Sequence, residues 1–238
     1  MSIPAFTLVV VAVLLAACLQ ASIGFGMGML AAPVVALVDP TLVPGVIVLL
    51  GTLVTLLVTV RERASIDLRG TGWALAGRVP GTVVGSVLVA FLPERGLALM
   101  LAGVVLLGVV LTSLGWAPEP RRPALVVAGA ASGVFGTATA IGGPPMALVW
   151  QRSSGARLRG TMGGFFLVGS GLSVVGLTLA GAIDAHVLTR TAWLAPAVVA
   201  GYVLSRLVNR VLDRRRLRLT AIAVSALGAV VLIAQQLV

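Results

Sequence analysis

Apolar residues fill eight blocks of this chain, and the polar residues gather in the short stretches between them. The blocks run over about 5–32, 41–60, 72–92, 97–114, 124–150, 160–181, 187–207 and 217–237. A helix needs about 20 mainly apolar residues to cross a bilayer, and all eight qualify. The connections hold most of the charge and many of the prolines, among them Pro40, Pro44, Pro93, Pro118, Pro120 and Pro123. No stretch has the composition of a soluble domain. The pattern predicts an all-α, polytopic membrane protein with about eight transmembrane helices.

The first and fifth blocks are longer than one crossing requires, and each carries a Gly-rich stretch followed by proline. Glycine loosens a helix and proline removes a backbone donor. Both blocks are therefore expected to be broken or re-entrant helices, which a membrane tolerates only where they are buried in protein or line a cavity. They also resemble each other. Ala21-Ser22-Ile23-Gly24-Phe25-Gly26 reads like Ala131-Ser132-Gly133-Val134-Phe135-Gly136, and Gly24 to Pro33 matches the spacing of Gly136 to Pro145. Further on, Ala76 to Gly85 with Pro80 parallels Ala192 to Gly201 with Pro196. Two four-helix repeats are expected, 1–115 and 120–238, within a single membrane domain. Paired breaks in internal repeats mark secondary transporters, with the substrate bound where the breaks meet. Four crossings per half make such repeats parallel; re-entry at the breaks changes that count.

Composition agrees with the pattern. The chain is 59% apolar and only 10% charged, against about 25% charged in an ordinary soluble domain, and its mean hydropathy is +1.13. All 17 basic residues are arginine, and with 7 acidic residues the net charge is +10. Because these arginines sit mainly between apolar blocks, they read as charges that orient the chain and meet anionic headgroups. No nucleic-acid motif accompanies them. With eight crossings, Arg95, Arg152, Arg157, Arg159 and the Arg206 to Arg218 cluster group on one side, the expected cytoplasmic one. Arg61, Arg63, Arg69, Arg121, Arg122 and Arg190 group on the other, and both termini lie outside. One cysteine, Cys18, and one histidine, His186, are too few for a disulfide or a Cys/His metal site, and no cofactor is expected. Leu15-Ala16-Ala17-Cys18 has the form of a lipoprotein cleavage box. It lacks a preceding basic region, so Cys18 is expected to be a small residue in the first helix.

The two breaks are the strongest chemical feature. The first is Gly24-Phe25-Gly26-Met27-Gly28, closing at Pro33. The second runs from Gly136 through Thr137, Thr139, Gly142 and Gly143 to Pro144 and Pro145. A broken helix leaves unpaired N–H groups and partial positive charge where its second half starts, which favours an anion. Ser22, Ser132, Thr137 and Thr139 can add hydroxyl donors. The plainer alternative is close helix packing through small residues, which also permits a homodimer. Arg78 lies inside the third block, where an ionisable group is a functional candidate unless it reaches the interface. Arg206 reads as an anchor. His186 and Asp184 can form a proton switch or simply a solvated loop. Trp73, Trp116, Trp150 and Trp193 fall near block ends, the interfacial belt pattern. No Asp or Glu falls in a predicted helix core, so the substrate's own proton or the membrane potential is left to drive movement.

The duplicated Gly-rich, Pro-terminated segments resemble the sulfite exporter TauE/SafE family over nearly the whole chain. Ile141-Gly142-Gly143-Pro144-Pro145, Arg159-Gly160-Thr161 and the Ile66-Asp67-Leu68-Arg69 turn carry the likeness. The family usually shows a tighter Gly-Gly-Gly run than Met29-Leu30-Ala31-Ala32-Pro33 or Thr137-Ala138-Thr139-Ala140. The resemblance implies export of sulfite, sulfoacetate or a related sulfur-containing anion. It adds Arg159 and Thr161 to the candidate site; Arg159 is either a guanidinium fork for sulfonate oxygens or an interfacial anchor. The expected function is a secondary transporter exporting a small anion across a bacterial cytoplasmic membrane. A passive anion channel and a non-transporting scaffold remain alternatives. An intramembrane enzyme lacks its Ser/His dyad, Asp pair or zinc cluster.

Overall fold

The computed structural model describes residues 2–113, 118–153 and 155–211. Nine α-helices lie within them: α1 (Ile3–Ile23), α2 (Met27–Val38), α3 (Gly45–Glu62), α4 (Leu68–Phe91), α5 (Glu94–Ser113), α6 (Arg122–Ala138), α7 (Gly143–Trp150), α8 (Gly155–Leu179) and α9 (Ala185–Val211). Five helical segments are long and apolar enough to cross a membrane: Ile3–Ile23, Gly45–Ser65, Leu68–Phe91, Gly155–Leu179 and Ala185–Val208. The predicted final helix over 217–237, the arginines beyond Arg210, and Trp116 lie outside the described residues.

Both long blocks are broken. In the first, Gly24 and Gly26 take φ values of 96° and 121°, a conformation side chains other than glycine's rarely tolerate. Gln20 then caps the start of α2, its Oε1 accepting from the Met27 N–H at 2.9 Å. In the second, the Thr139 hydroxyl donates to the Phe135 carbonyl at 2.7 Å and accepts from the Ile141 N–H at 3.3 Å. Ala140 sits at φ 61°, and proline in the first turn starts α7.

At each break the chain turns back. The Phe6 ring meets Trp193 edge-on at 6.4 Å. Arg61 donates to the Ala21 carbonyl at 3.0 Å and stands 5.2 Å from the Tyr202 ring. Hence α1 and α9 run parallel, and α1 ends beside the end of α3. Yet α3 starts at the opposite face, where Gly45 packs on Ala182 and Val187. The return between them is made by α2. In the same way α4 and α6 run parallel, with Arg122 over Trp73 at their starts and Gly85 beside Val134 and Thr137 further along. The return is made by α7, whose Trp150 packs on Gly70 near the start of α4. With 12 and 8 residues, α2 and α7 reach only about 18 and 12 Å at 1.5 Å per residue. Neither spans a core of about 30 Å.

Of the two forms expected for the long blocks, broken or re-entrant, both take the re-entrant one, and this regroups the charges that were placed by counting eight crossings. Arg61, Arg63, Arg69, Arg121, Arg122, Arg152, Arg157, Arg159 and Arg206 share one face. Arg95 and Arg190 lie at the other, and Arg78 is buried between them. The sequence-based grouping placed Arg95 with Arg152 to Arg159 and separated Arg61 to Arg69 from them, because it counted each block as one crossing.

Glycines let the helices pack closely. Gly77, Gly81 and Gly85 of α4 face Gly129 and Gly133 of α6, so the two backbones touch. Gly201 of α9 presses on Leu14 and Cys18 of α1 in the same manner. Between these pairs α3 packs along α8. The outward rows carry Val79, Val83, Val87 and Phe91 on α4 and Val175 and Leu179 on α8, all exposed. Lipid is the solvent that suits them.

Candidate functional site

The two hairpin tips meet inside the helical shell. Gly28 approaches the Ala140 carbonyl so closely that a Cβ at position 28 would collide with it, and Phe25 packs on Gly143. Between the tips lies a hollow with about 60 Å³ open to the centre of a water molecule. One water needs about 10–15 Å³ on that measure, so a small anion fits. The wall includes Phe25, Gly26, Met27, Gly28 and Met29 from the first hairpin and Gly136 and Ala140 to Gly143 from the second. Gln20, Ile47, Val48, Gly51, Thr55, Phe166, Ser170, Ser173 and Arg78 complete it.

Arg78 is the only ionisable side chain in that lining among the described residues. It is 2% exposed. Its Nη1 donates to the Ser132 carbonyl at 2.7 Å and to the Ser132 hydroxyl at 2.8 Å, and its Nη2 donates to the Ser173 hydroxyl at 3.2 Å. The guanidinium carbon stands 5.5 Å from the Phe165 ring centroid. Its Nε has no hydrogen-bond partner among the described residues, and no carboxylate pairs with it. A buried charge without a counter-ion costs several kcal/mol. The arrangement is held by neutral partners and leaves a positive potential in the hollow.

The helix starts add to that potential unequally. The Gly28 and Met29 amides of α2 stand at the first tip. At the second tip Pro144 and Pro145 remove two of the four amides that a helix start normally offers. What α7 contributes is mainly its field, not N–H donors.

Of the residues singled out from sequence, Phe25, Gly26, Gly28, Arg78, Gly136, Gly142 and Gly143 line the hollow. Ser132 and Thr137 stand behind it. The Ser132 hydroxyl donates to the Gly142 carbonyl at 2.7 Å, and the hydroxyls of Thr137 and Ser173 are 2.7 Å apart. Thr139 closes the second turn, and Pro144 packs on Gly108 of α5. Pro33 and Pro145 are buried in α2 and α7. Ser22 turns back on its own helix, donating to the Cys18 carbonyl at 2.7 Å, and Gly24 packs on the backbone of Arg159.

Arg159 and Thr161 lie elsewhere, at the arginine-rich face. Nε and Nη2 of Arg159 both donate to Glu62 Oε1, at 2.9 and 2.8 Å, and the Thr161 hydroxyl accepts from the Asp67 N–H at 3.0 Å. Both tie α8 to the α3–α4 turn, and the Arg159 charge is already compensated. Asp184 caps α9 by accepting from the Val187 N–H at 2.8 Å, and His186 is exposed beside it. Trp73 and Trp193 are exposed near helix ends as a belt requires, whereas Trp150 is buried. Sequence reasoning missed Gln20, Thr55, Ser170 and Ser173. Their signal is simple: each is a polar side chain inside an apolar block.

A family model described as Sulfite exporter TauE/SafE matches residues 9–232. No curated protein and no solved structure matches the chain.

Proposed function

The chain belongs to the sulfite exporter TauE/SafE family, and on that premise we propose that it is a secondary transporter that exports a small anion, sulfite or an organosulfonate such as sulfoacetate, bound against Arg78 between the two hairpin tips. The observation that carries this reading is the buried Arg78 guanidinium, held only by neutral groups at the point where both re-entrant tips converge. An anion supplies the missing counter-charge. Planar guanidinium suits sulfonate or sulfite oxygens, and the α2 amides and the Ser170 and Ser173 hydroxyls complete a polar shell.

The proposal includes two inverted repeats, α1 to α5 and α6 onward, that exchange partners. In its support, α1 pairs with α9 as α6 pairs with α4, α3 meets α8 between them, and the hairpins α1–α2 and α6–α7 start from opposite faces. An odd number of reversals per unit makes such repeats inverted, the arrangement on which alternating access is commonly built. The arginine-rich face is then cytoplasmic by the positive-inside rule, with the protein in the cytoplasmic membrane of a bacterium. In a Cys18→Ser background, Arg63→Cys should label only from the cytoplasm and Arg95→Cys only from outside. Arg152→Cys should label from the same side as Arg63→Cys, and labelling of these two from opposite sides overturns the hairpin topology.

The direct test is thermal stability of detergent-purified protein against sulfite, sulfoacetate, taurine, thiosulfate, sulfate, acetate and chloride. A ligand of the folded state adds about 2.7 kcal/mol at a hundredfold excess over Kd. A selective rise with sulfite or one sulfonate, absent in Arg78→Gln, supports the reading. A flat response from folded protein refutes it.

A further inference from the structure

A second, larger hollow lies at the arginine-rich face, between the starts of α4 and α6 and the end of α7. It holds about 590 Å³ and is lined in part by Arg69, Arg121, Arg122, Arg157, Trp73 and Trp150. It shares no lining residue with the hollow at the hairpin tips. We infer that it is a binding site for the phosphate headgroup of an anionic phospholipid.

Charge comes first. Against four arginines the lining offers one carboxylate, Asp67, which stands 3.4 Å from Arg157. Arg121 is paired with Glu119 at 2.8 Å. Arg69 and Arg122 have no carboxylate partner among the described residues. Arg122 is held in place instead by stacking, its guanidinium 5.0 Å from the Trp73 ring. Trp150 is 3% exposed, and its buried indole N–H finds no acceptor among the described residues. Two exposed guanidinium groups without a carboxylate partner among the described residues therefore line one cavity. A phosphodiester supplies acceptor oxygens in the geometry an arginine fork prefers.

The surroundings identify the source of that phosphate as lipid. Trp73 is exposed at the level of the helix starts, the depth at which tryptophan meets headgroups. Leu68, at the start of α4, and Val127, one turn into α6, are 77% and 68% exposed beside the hollow. Both helices line the hollow, so each carries exposed apolar surface that acyl chains can meet. A basic pocket between transmembrane helices on the cytoplasmic side is the expected form of a site for anionic headgroups.

The test is native mass spectrometry of the full chain with phosphatidylglycerol and phosphatidylcholine of identical acyl chains. Phosphatidylglycerol should be retained selectively. Arg69→Gln/Arg122→Gln should weaken its retention roughly thirtyfold, from about one fivefold step per arginine at the surface. Arg69→Gln alone alters an exposed side chain, leaves the fold in place and should cost one such step. Arg95→Gln/Arg190→Gln, at the opposite face, should change nothing. Equal retention of both lipids, or unchanged retention in the Arg69 and Arg122 variants, overturns the inference. Full displacement of phosphatidylglycerol by equimolar sn-glycerol 3-phosphate also overturns it, because the hollow then takes soluble phosphate esters.

Discussion

Replacing Arg78 separates two roles that a buried arginine can have. As the anion-binding charge, its loss abolishes binding and leaves the fold intact. As a keystone joining α4, α6 and α8, its loss destabilises the fold. The partners left behind favour the first. Without Arg78 the Ser132 hydroxyl still donates to Gly142, and the Ser173 hydroxyl still pairs with Thr137 and with the Gly169 carbonyl at 3.0 Å. The Ser132 carbonyl keeps its place in the α6 ladder. No buried group is stranded, so Arg78→Met is expected to be neutral or stabilising, as when a buried charge gives way to an apolar side chain of similar volume. For binding, two unit charges 4 Å apart interact by about 4 kcal/mol at an effective dielectric constant of 20. If the remaining hydroxyls and amides recover up to half, the net loss is about 2–4 kcal/mol. This corresponds to a Kd roughly 30- to 700-fold weaker in Arg78→Gln. Arg78→Lys keeps the charge, loses the fork and should cost about tenfold. Isothermal titration with the ligand found by the stability screen measures the first quantity, and denaturation in detergent the second. Binding within threefold of wild type in Arg78→Gln refutes the anion-site reasoning. A loss of more than about 2 kcal/mol of stability in Arg78→Met shows that the keystone role dominates.

Two further substitutions test the surrounding geometry. Gly28→Ala drives a methyl group into the Ala140 carbonyl and should cost about 1–3 kcal/mol and lower transport at least about tenfold by parting the tips. Gly72→Ala, where a Cβ meets nothing within 4 Å, should transport as wild type in the same proteoliposome flux assay. Arg159→Ala should lower stability by about 2 kcal/mol, because Glu62 loses a charged partner at 13% exposure, yet leave Kd within about threefold, since the pair lies outside the hollow. Weakening as great as that of Arg78→Gln would return Arg159 to the site.

Much of this architecture was written in the sequence in a form that local reasoning can read. Apolar blocks locate the membrane helices because lipid tolerates little else. Gly24 and Gly26 locate the first break, since positive φ is open to few other residues. Pro144 and Pro145 locate the second, since proline fits a helix's first turn but not its interior. Chain direction after each break was not legible. Whether a helix continues or doubles back is decided by what the next element packs against: Gly45 on Val187, Trp150 on Gly70. No local propensity encodes those contacts. The two readings of Arg159 stayed open for a related cause. An arginine at a helix start and an arginine at a binding site look alike until its partner is known, and Glu62 is 97 residues away. For Arg78, the residue on which the proposed site rests, depth is the sequence signal, because a charge that far from an interface needs a reason to stay. Gln20, Thr55, Ser170 and Ser173 follow the same logic on a smaller scale.

The charge content of the hollow leads to a prediction about energy coupling. A carrier that couples export to protons needs a group that changes protonation within the substrate site or beside it. Among the described residues the lining has no Asp, Glu or His, and Arg78 is its sole ionisable group. A guanidinium keeps its proton throughout the physiological range. Charge carried by a bound monoanion is therefore matched by a fixed charge that does not leave with it. Each turnover then moves one net negative charge across the bilayer. An interior-negative potential drives such an anion outward with about 2.3 kcal/mol per 100 mV, or roughly a fiftyfold concentration ratio at equilibrium. Proteoliposomes clamped with valinomycin and potassium gradients report this directly, with labelled monoanion followed to its steady distribution. A distribution that shifts about fiftyfold per 100 mV and ignores an imposed pH gradient matches the site described. With a sulfonate, which carries no proton of its own in this range, a distribution that follows the pH gradient and ignores potential requires a titrating group in the transport path, and the assignment of Arg78 as sole charge in the site would then be wrong.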